Sequence, residues 1–214
     1  IVECEFDSWR SAEARQTRDQ IIASGKRPML AGELAETRQI VKAVKSNPLV
    51  RELLPDYGRA EVSALAVLHG VKVQARFDYL VMADAPTGSR FGTWGWIVDV
   101  KTVAGSANPH DFNRTAANYG YHIQADLYQR VARALGHELP FYWLVVSKTP
   151  PFACSIIRVS DMDLNAGSVQ TDKALKLWGD VLANGWPKNV EVYESELPGW
   201  VHYEDDDLEL KGIQ

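Results

Sequence analysis

Three neighbouring segments rich in Val, Leu, Ile, Tyr, Phe and Trp constrain the fold most, and they occupy residues 60–68, 71–82 and 94–103. His69-Gly70 separates the first two segments, and a turn-rich stretch, 84–92, separates the last two. Dense β-branched and aromatic residues bounded by turn residues are typical of β-strands. We therefore predict a three-stranded meander in the middle of the chain.

Helical and strand-like patterns flank this meander on both sides. They are, in chain order, helices over 9–22 and 34–44, a helix pair ending at Ala134 or Leu135, strands over 141–147 and 153–159, and a helix over 161–183. Strands mixed with helices in this order predict an α/β fold with a mixed central β-sheet flanked by helices.

We predict one domain, 1–193, with a helical N-terminal part, 1–57, and a core, 58–193, followed by an acidic tail, 194–214. The formal net charge is −5, which argues against a general nucleic-acid binder. The tail alone contains seven acidic residues and a single base, Lys211, so the rest of the chain is close to neutral. A solvated terminus explains the tail best, and a DNA mimic or a partner-docking segment is the alternative.

Hydropathy and cysteine content exclude several classes of protein. The sequence contains no apolar run as long as the roughly 18 residues of a membrane-spanning helix, and its first residues lack the pattern of a signal peptide. Cys4 and Cys154 are too few for a disulfide framework, a four-thiolate zinc site or an iron–sulfur cluster. We therefore expect a soluble cytoplasmic protein without a membrane partner.

Two aspartates are equally far from the predicted turn between the second and third strands. Asp78 and Asp99 have their midpoint between Gly88 and Ser89, so a regular hairpin sets them opposite each other, at about 4.5 to 5.5 Å between Cβ atoms. Alternation places Asp78 opposite the face of Phe77 and Tyr79. It also places Asp99 and Lys101 together on one face, with Trp94 and Trp96 on the other, apolar face, where both tryptophans are expected in the core.

Opposed carboxylates destabilise a sheet unless a cation lies between them, and clustered oxygen atoms are the ligands that Mg²⁺ prefers. Lys101 follows Asp99 by two residues on the same face, about 6 to 7 Å along the strand, where its amine can orient water or stabilise developing negative charge. The alternative interpretation is an exposed edge hairpin with scattered charges.

A stripe of polar and aromatic residues follows on the second helix of the predicted pair. Tyr121, Gln124 and Tyr128 lie at positions i, i+3 and i+7, so they share one face. Two aromatic residues at this spacing fit a packed core. A glutamine among them needs a hydrogen-bonding target such as a carboxylate or a phosphate.

Four motifs in this order resemble the RecE/RecB-type branch of the PD-(D/E)xK nucleases, in particular the phage RecE-like exonuclease VIII group. The resemblance covers residues 61–128. The motifs are Glu61-x-Ser63, Gln74-Ala-Arg76-Phe-Asp78, Val98-Asp99-Val-Lys101-Thr and Tyr119-Gly-Tyr121-His-Ile-Gln124-Ala-Asp-Leu-Tyr128.

The resemblance implies a restriction-endonuclease-like core and a role for each matching residue. Asp78, Asp99 and the backbone carbonyl of Val100 would bind one or two Mg²⁺ or Mn²⁺ ions, and Lys101 would act at the attacking water. Glu61 would assist as an upstream acid. Gln124 and Tyr128 would orient the lysine, the carboxylates or the DNA. The expected DNA-binding residues are Arg76, Arg114 and Tyr121.

The resemblance also implies a Mg²⁺-dependent deoxyribonuclease that degrades linear double-stranded DNA from its ends, 5′ to 3′, in phage-type homologous recombination. The expected partners are DNA ends, a single-strand annealing recombinase and further copies of the chain in a ring. The family commonly has a metal-binding His upstream, and residues 1–60 contain no match. Two alternatives stay open: a structure-specific or single-strand nuclease, and a catalytically silent module that binds DNA or docks a partner.

Overall fold

The computed structural model describes residues 1–82, 89–186 and 194–196. The chain divides into a compact unit, 1–179, and a second unit, 180–214, whose described part begins with the last residues of a helix. The predicted turn at 84–92 and the acidic tail lie largely outside the described residues. The division into a domain and a tail therefore stays a prediction.

The N-terminal part contains three helices and a small sheet. Its elements are β1 (Val2–Cys4), α1 (Ala12–Ala23), β2 (Pro28–Leu30), α2 (Ala31–Ser46) and α3 (Pro48–Leu53). The two helical patterns are confirmed as α1 and α2. The parallel pairing of β1 with β2 was not predicted, because strands of three residues are too short to show alternation.

The central part contains the sheet and the helices that cover it. Its elements are β3 (Arg59–Leu68), β4 (Val71–Met82), β5 (Gly95–Val103), α4 (Pro109–Asn118), α5 (Tyr121–Ala134), β6 (Phe141–Ser147), β7 (Cys154–Arg158) and α6 (Asp161–Asn184). The five strands lie in sequence order, with β5 and β6 parallel and the other neighbours antiparallel. The prediction of a mixed sheet flanked by helices is confirmed.

Both faces of the sheet are covered around β5 and β6. On β5, Ile97 belongs to one apolar cluster, whereas Trp96 and Val98 belong to another, so the two clusters lie on opposite faces. The first cluster, called the α5 face here, includes Phe112 of α4 and several residues of α5. The second cluster, called the α3 face, includes Leu53 of α3 and one residue of α2. The sheet is therefore the middle of three layers.

The start of β5 explains why one of two predicted core tryptophans is not buried. Trp96 is 1% exposed, and its Nε1–H donates to the Leu53 carbonyl at 2.8 Å. Trp94 is 71% exposed, so the prediction that it lies in the core is wrong. The strand begins only at Gly95, whose φ of 121° breaks the extended backbone. Trp94 thus lies outside the alternation that buries Trp96.

Gly95 is required where β5 passes β4. A Cβ atom on this residue would overlap the carbonyl oxygen of Val81, and its positive φ is strained for any other residue. We expect Gly95→Ala to lower the free energy of unfolding by about 2 to 4 kcal/mol in urea denaturation. Gly105→Ala is the matched control, since no atom lies within 4 Å of its added methyl group. Equal stability of the two variants would contradict this account.

Candidate functional site

The alternation of side chains between the two faces of β4 shifts by one residue at Asp78. Before this point, Ala75 and Phe77 pack into the α5 face. After it, Tyr79 and Val81 pack into the α3 face, although strict alternation would keep Tyr79 on the same side as Phe77. The prediction that Phe77 and Tyr79 share a face is therefore wrong. The alternation of β4 is therefore irregular at Asp78, the residue whose carboxylate belongs to the site.

The neighbouring strand is irregular at the same level. Glu61 of β3 has a φ of 58°, a left-handed conformation that is uncommon for residues other than glycine. The ladder pairs Ala60 with Tyr79 and Val62 with Phe77, so its register places Glu61 beside Asp78, yet these two residues make no ladder pair. Both strands thus depart from regular sheet geometry where they carry an acidic residue.

The register between β4 and β5 agrees with the predicted hairpin. The ladder runs from the pair Met82 with Gly95 to the pair Tyr79 with Val98, and the next pair in this register is Asp78 with Asp99. The ladder stops there. Asp78 instead accepts a hydrogen bond through Oδ2 from the backbone N–H of Val100, at 2.8 Å. The predicted register is confirmed, and the first carboxylate is fixed beside the second by a backbone donor.

Asp99 is a buried carboxylate on the α5 face. The residue is 2% exposed, and its lateral neighbour on β6 is the buried Trp143. Lys101 Nζ lies 2.8 Å from Asp99 Oδ2, and Gln124 Nε2 donates to Oδ1 at 3.2 Å. The alternative interpretation of an exposed edge hairpin is therefore wrong at Asp99, because Gln124 of α5 covers the carboxylate.

Gln124 joins the carboxylate to the lysine. Its Nε2 donates to Asp99, and its Oε1 accepts from Lys101 Nζ at 2.9 Å, so the two partners fix opposite ends of the amide. Lys101 Nζ also lies 4.1 Å from the ring centroid of Tyr121, within the range of a cation–π contact. The predicted stripe on α5 therefore supplies two contacts to the lysine.

Burial raises the pKa of Asp99 above its usual value, and the nearby charge of Asp78 raises it further. The hydrogen bond and charge of Lys101 and the hydrogen bond from Gln124 lower it, but burial prevails. Because the folded-state pKa lies above the unfolded-state value, folding takes up a proton between the two values. The contribution of Asp99 to the free energy of unfolding therefore falls as pH rises through that window.

One oxygen of this carboxylate fits a cation. Asp99 Oδ2 is buried, and Lys101 Nζ at 2.8 Å is its one polar partner among the described residues. A buried carboxylate oxygen of this kind, with Asp78 beside it, suits a hard divalent ion. Within residues 1–82, 89–186 and 194–196, no group of three or more His, Cys, Asp or Glu side chains that could bind a metal is formed. The protein therefore offers two carboxylates, with the Val100 carbonyl as the predicted third ligand.

The other predicted site residues lie around this centre. Glu61 forms an ion pair with the exposed Arg76. Tyr128 packs its ring edge against Phe77, with centroids 5.4 Å apart, and its hydroxyl has no hydrogen bond within the described residues. Arg114 is exposed on α4. The structure therefore brings together Asp78, Asp99, Lys101, Gln124 and Tyr121. Glu61 is the neighbour of Asp78 across the two strands, and within the described residues Arg76, Arg114 and Tyr128 form no hydrogen bond or ion pair with the central five.

Three aromatic residues at the site were not predicted from the sequence. Trp143 is the neighbour of Asp99 on β6, and Phe112 and Tyr119 each stack with Tyr121. The spacing of Tyr119 and Tyr121 around Gly120 was a usable signal, since a glycine there allows the αL backbone seen before α5. No sequence signal connects Trp143 with Asp99, because parallel register depends on the helices between the strands.

An Asp-x-Lys strand beside a second aspartate, on a mixed sheet covered by helices, defines the PDDEXK-like class. Residues 1–195 match the PDDEXK-like domain of unknown function (DUF3799), and the chain belongs to this family. No curated protein matches the chain.

One solved structure has a similar fold, and a second is a weaker match. A crystal structure described as a "Putative exonuclease" from Eubacterium rectale is 16% identical, with a TM-score of 0.57, and the match covers 90% of this chain and 73% of that one. At this identity the likeness concerns the fold alone. The structure of SSO0001 is 10% identical, with a TM-score of 0.36, and the match covers 78% of this chain and 69% of that one.

In the part of this chain that the structure describes, no helix is long and apolar enough to cross a membrane.

The balance of charges at Asp99 predicts opposite pKa changes in two variants. Lys101→Met is expected to raise the pKa of Asp99 further, since a hydrogen bond and a favourable charge are lost. Asp78→Asn is expected to lower it, since a repelling charge is lost. Titration of the carboxyl ¹³C resonance in metal-free buffer measures both changes. Changes in the same direction would show that another group controls this carboxylate.

Proposed function

We propose that this protein is a divalent-metal-dependent deoxyribonuclease. The observation that carries the proposal is the buried Asp99, whose Oδ2 has Lys101 as its one polar partner among the described residues and which lies beside the fixed carboxylate of Asp78. A buried carboxylate whose pKa is raised is typical of functional sites. Membership of the PDDEXK-like family supports the same conclusion.

Asp78, Asp99 and the Val100 carbonyl are the residues that would hold Mg²⁺ or Mn²⁺, one or two ions in all. Such an ion, when bound, polarises the scissile phosphate and neutralises charge on the leaving oxygen. The proposed ligands lie on adjacent strands, and the Val100 N–H positions Asp78.

Lys101 is the proposed catalytic amine. In the structure its Nζ is held by Asp99, Gln124 and the ring of Tyr121. Once Asp99 serves as a ligand, the amine keeps two of these contacts, so it stays in place while it orients the attacking water or stabilises negative charge. Gln124 is a positioning residue, because its two ends determine the distance between the amine and the carboxylate. Glu61 and Tyr128 are proposed as support residues.

The finer proposal is an exonuclease that degrades linear duplex DNA, 5′ to 3′, in phage-type recombination in the cytoplasm. Its support is the resemblance of four ordered motifs to RecE-like exonucleases and the fold shared with the Eubacterium rectale protein, which is described as an exonuclease candidate. A ring of copies would collect bases such as Arg76 and Arg114 around the DNA, and an annealing recombinase would receive the single strand.

A catalytically silent module is the second candidate, because two observations favour it. Glu61 forms an ion pair with Arg76, and the described residues form no group of three acidic side chains that could bind a metal. A protein of this kind would bind DNA or a partner without needing the metal.

Removal of either central group is expected to abolish cleavage. Asp99→Asn and Lys101→Met should each reduce Mg²⁺-dependent release of nucleotides from end-labelled linear duplex by at least about 100-fold, the effect of losing one acid–base or charge-stabilising group. Lys42→Ala, at an exposed position on α2, is the matched control. Closed circular, nicked and single-stranded DNA separate an end-dependent enzyme from a structure-specific one. Undiminished cleavage by either site variant would refute the assignment.

Metal binding distinguishes the nuclease from the silent module. Titration calorimetry with Mn²⁺ is expected to show saturable binding that is lost in Asp78→Asn and in Asp99→Asn, because each supplies a proposed ligand. Asp19→Asn controls for surface acids, since Asp19 is exposed and paired with Arg18. A folded chain that takes up no Mn²⁺ would favour the silent module.

A further inference from the structure

Three aromatic rings form a stack that leads from the core to the surface at the site. Phe112 is 1% exposed and stacks on Tyr121, with centroids 6.0 Å apart and 26° between the ring planes. Tyr119 stacks on Tyr121 at 5.6 Å and 17°. Tyr119 is itself 73% exposed. The outermost ring of the stack is therefore parallel to its neighbour and largely open to solvent.

The stack is anchored beside the buried carboxylate. Phe112 meets Trp143 edge to face at 5.4 Å, and Trp143 is the lateral neighbour of Asp99 on β6. The middle ring, Tyr121, carries Lys101 Nζ at 4.1 Å from its centroid. Two rings, Tyr119 and Tyr121, would thus lie between a ligand stacked on Tyr119 and the amine of Lys101.

This arrangement differs from ordinary exposure of an aromatic side chain. Trp94 is 71% exposed as well, but it lies before β5 and takes part in no ring stack among the described residues. Tyr119 has one face supported by a ring that the core holds in place, so a planar ligand on its other face meets a preorganised surface. Every nucleobase has such a planar face, and stacking on an aromatic side chain tolerates any base.

We propose that Tyr119 is a stacking platform for an unpaired nucleobase within three nucleotides of the scissile phosphate. This inference rests on the proposed nuclease function. Inside a duplex, neighbouring bases cover both faces of each base, so only a base at an opened end or one turned out of the helix can stack on Tyr119. The substrate class is therefore DNA whose strand is separated over at least one nucleotide at the site.

A mutant cycle between enzyme and substrate tests the platform. The substrates are linear duplexes with a single abasic residue at the first, second or third nucleotide from the cleaved end. Wild-type kcat/KM is expected to fall about 5- to 100-fold for one of these positions, the range for loss of one base–aromatic stack. Tyr119→Leu should show the same fall on intact DNA and no further loss with the abasic substrate. Independent, multiplicative effects at all three positions would overturn the proposal.

Conservative variants separate stacking from other roles. Tyr119→Phe and Tyr119→Trp should retain the wild-type response to the abasic residue, because each keeps an aromatic face. Trp94→Leu is the control for loss of an exposed aromatic residue away from the stack. If Tyr119→Phe behaves like Tyr119→Leu, the hydroxyl acts rather than the ring, and the platform is excluded.

A binding assay keeps this test independent of catalysis. In buffer with EDTA, the fluorescence of 2-aminopurine at the responsive position of the DNA is expected to be quenched by the wild-type protein and not by Tyr119→Leu. Quenching without cleavage under any metal condition would refute the nuclease proposal and retain the platform. Cleavage with equal quenching by both proteins would refute the platform and retain the nuclease.

Discussion

A carboxylate under the sheet governs the architecture of the site. Asp99 is buried between the strands and α5, where a charge without partners is costly, and the surroundings compensate it with a single ammonium group and a single amide. Lys101 lies on the same strand as Asp99. Gln124 lies on α5, which packs against the sheet at the level of these two residues. Burial nevertheless outweighs both partners, since the pKa of Asp99 stays raised. The remaining imbalance is what a metal ion would relieve.

The alternation of β4 is irregular at Asp78, the residue that joins this centre. Ala75 and Phe77 before it pack into the α5 face, whereas Tyr79 and Val81 after it pack into the α3 face. Glu61 shows a matching departure on β3, with a left-handed backbone beside Asp78. Irregular backbone concentrated at one level of a sheet is common near functional sites, because it redirects individual side chains. In this protein the redirected side chain is a proposed metal ligand.

The parts of the fold that depend on local pattern were predictable. The meander, its register through Asp78 and Asp99, and the stripe of Tyr121 and Gln124 follow from spacing within single elements. The burial of Asp99 was not predictable, because it depends on β6 and on helices distant in sequence. The exposure of Trp94 was missed, since it depends on where β5 begins. Alternation therefore located the acids but misjudged their surroundings.

The dependence of the site on four separate elements limits how it can be transplanted. A graft of β4 and β5 into another scaffold would carry both aspartates and the lysine. It would omit Gln124, which positions the lysine. It would also omit Trp143 of the parallel strand β6, which shields the carboxylate from water. Without them the aspartate would be hydrated, and the amine would no longer be held in one position. A portable version of this chemistry would have to include the crossover through α5 into β6.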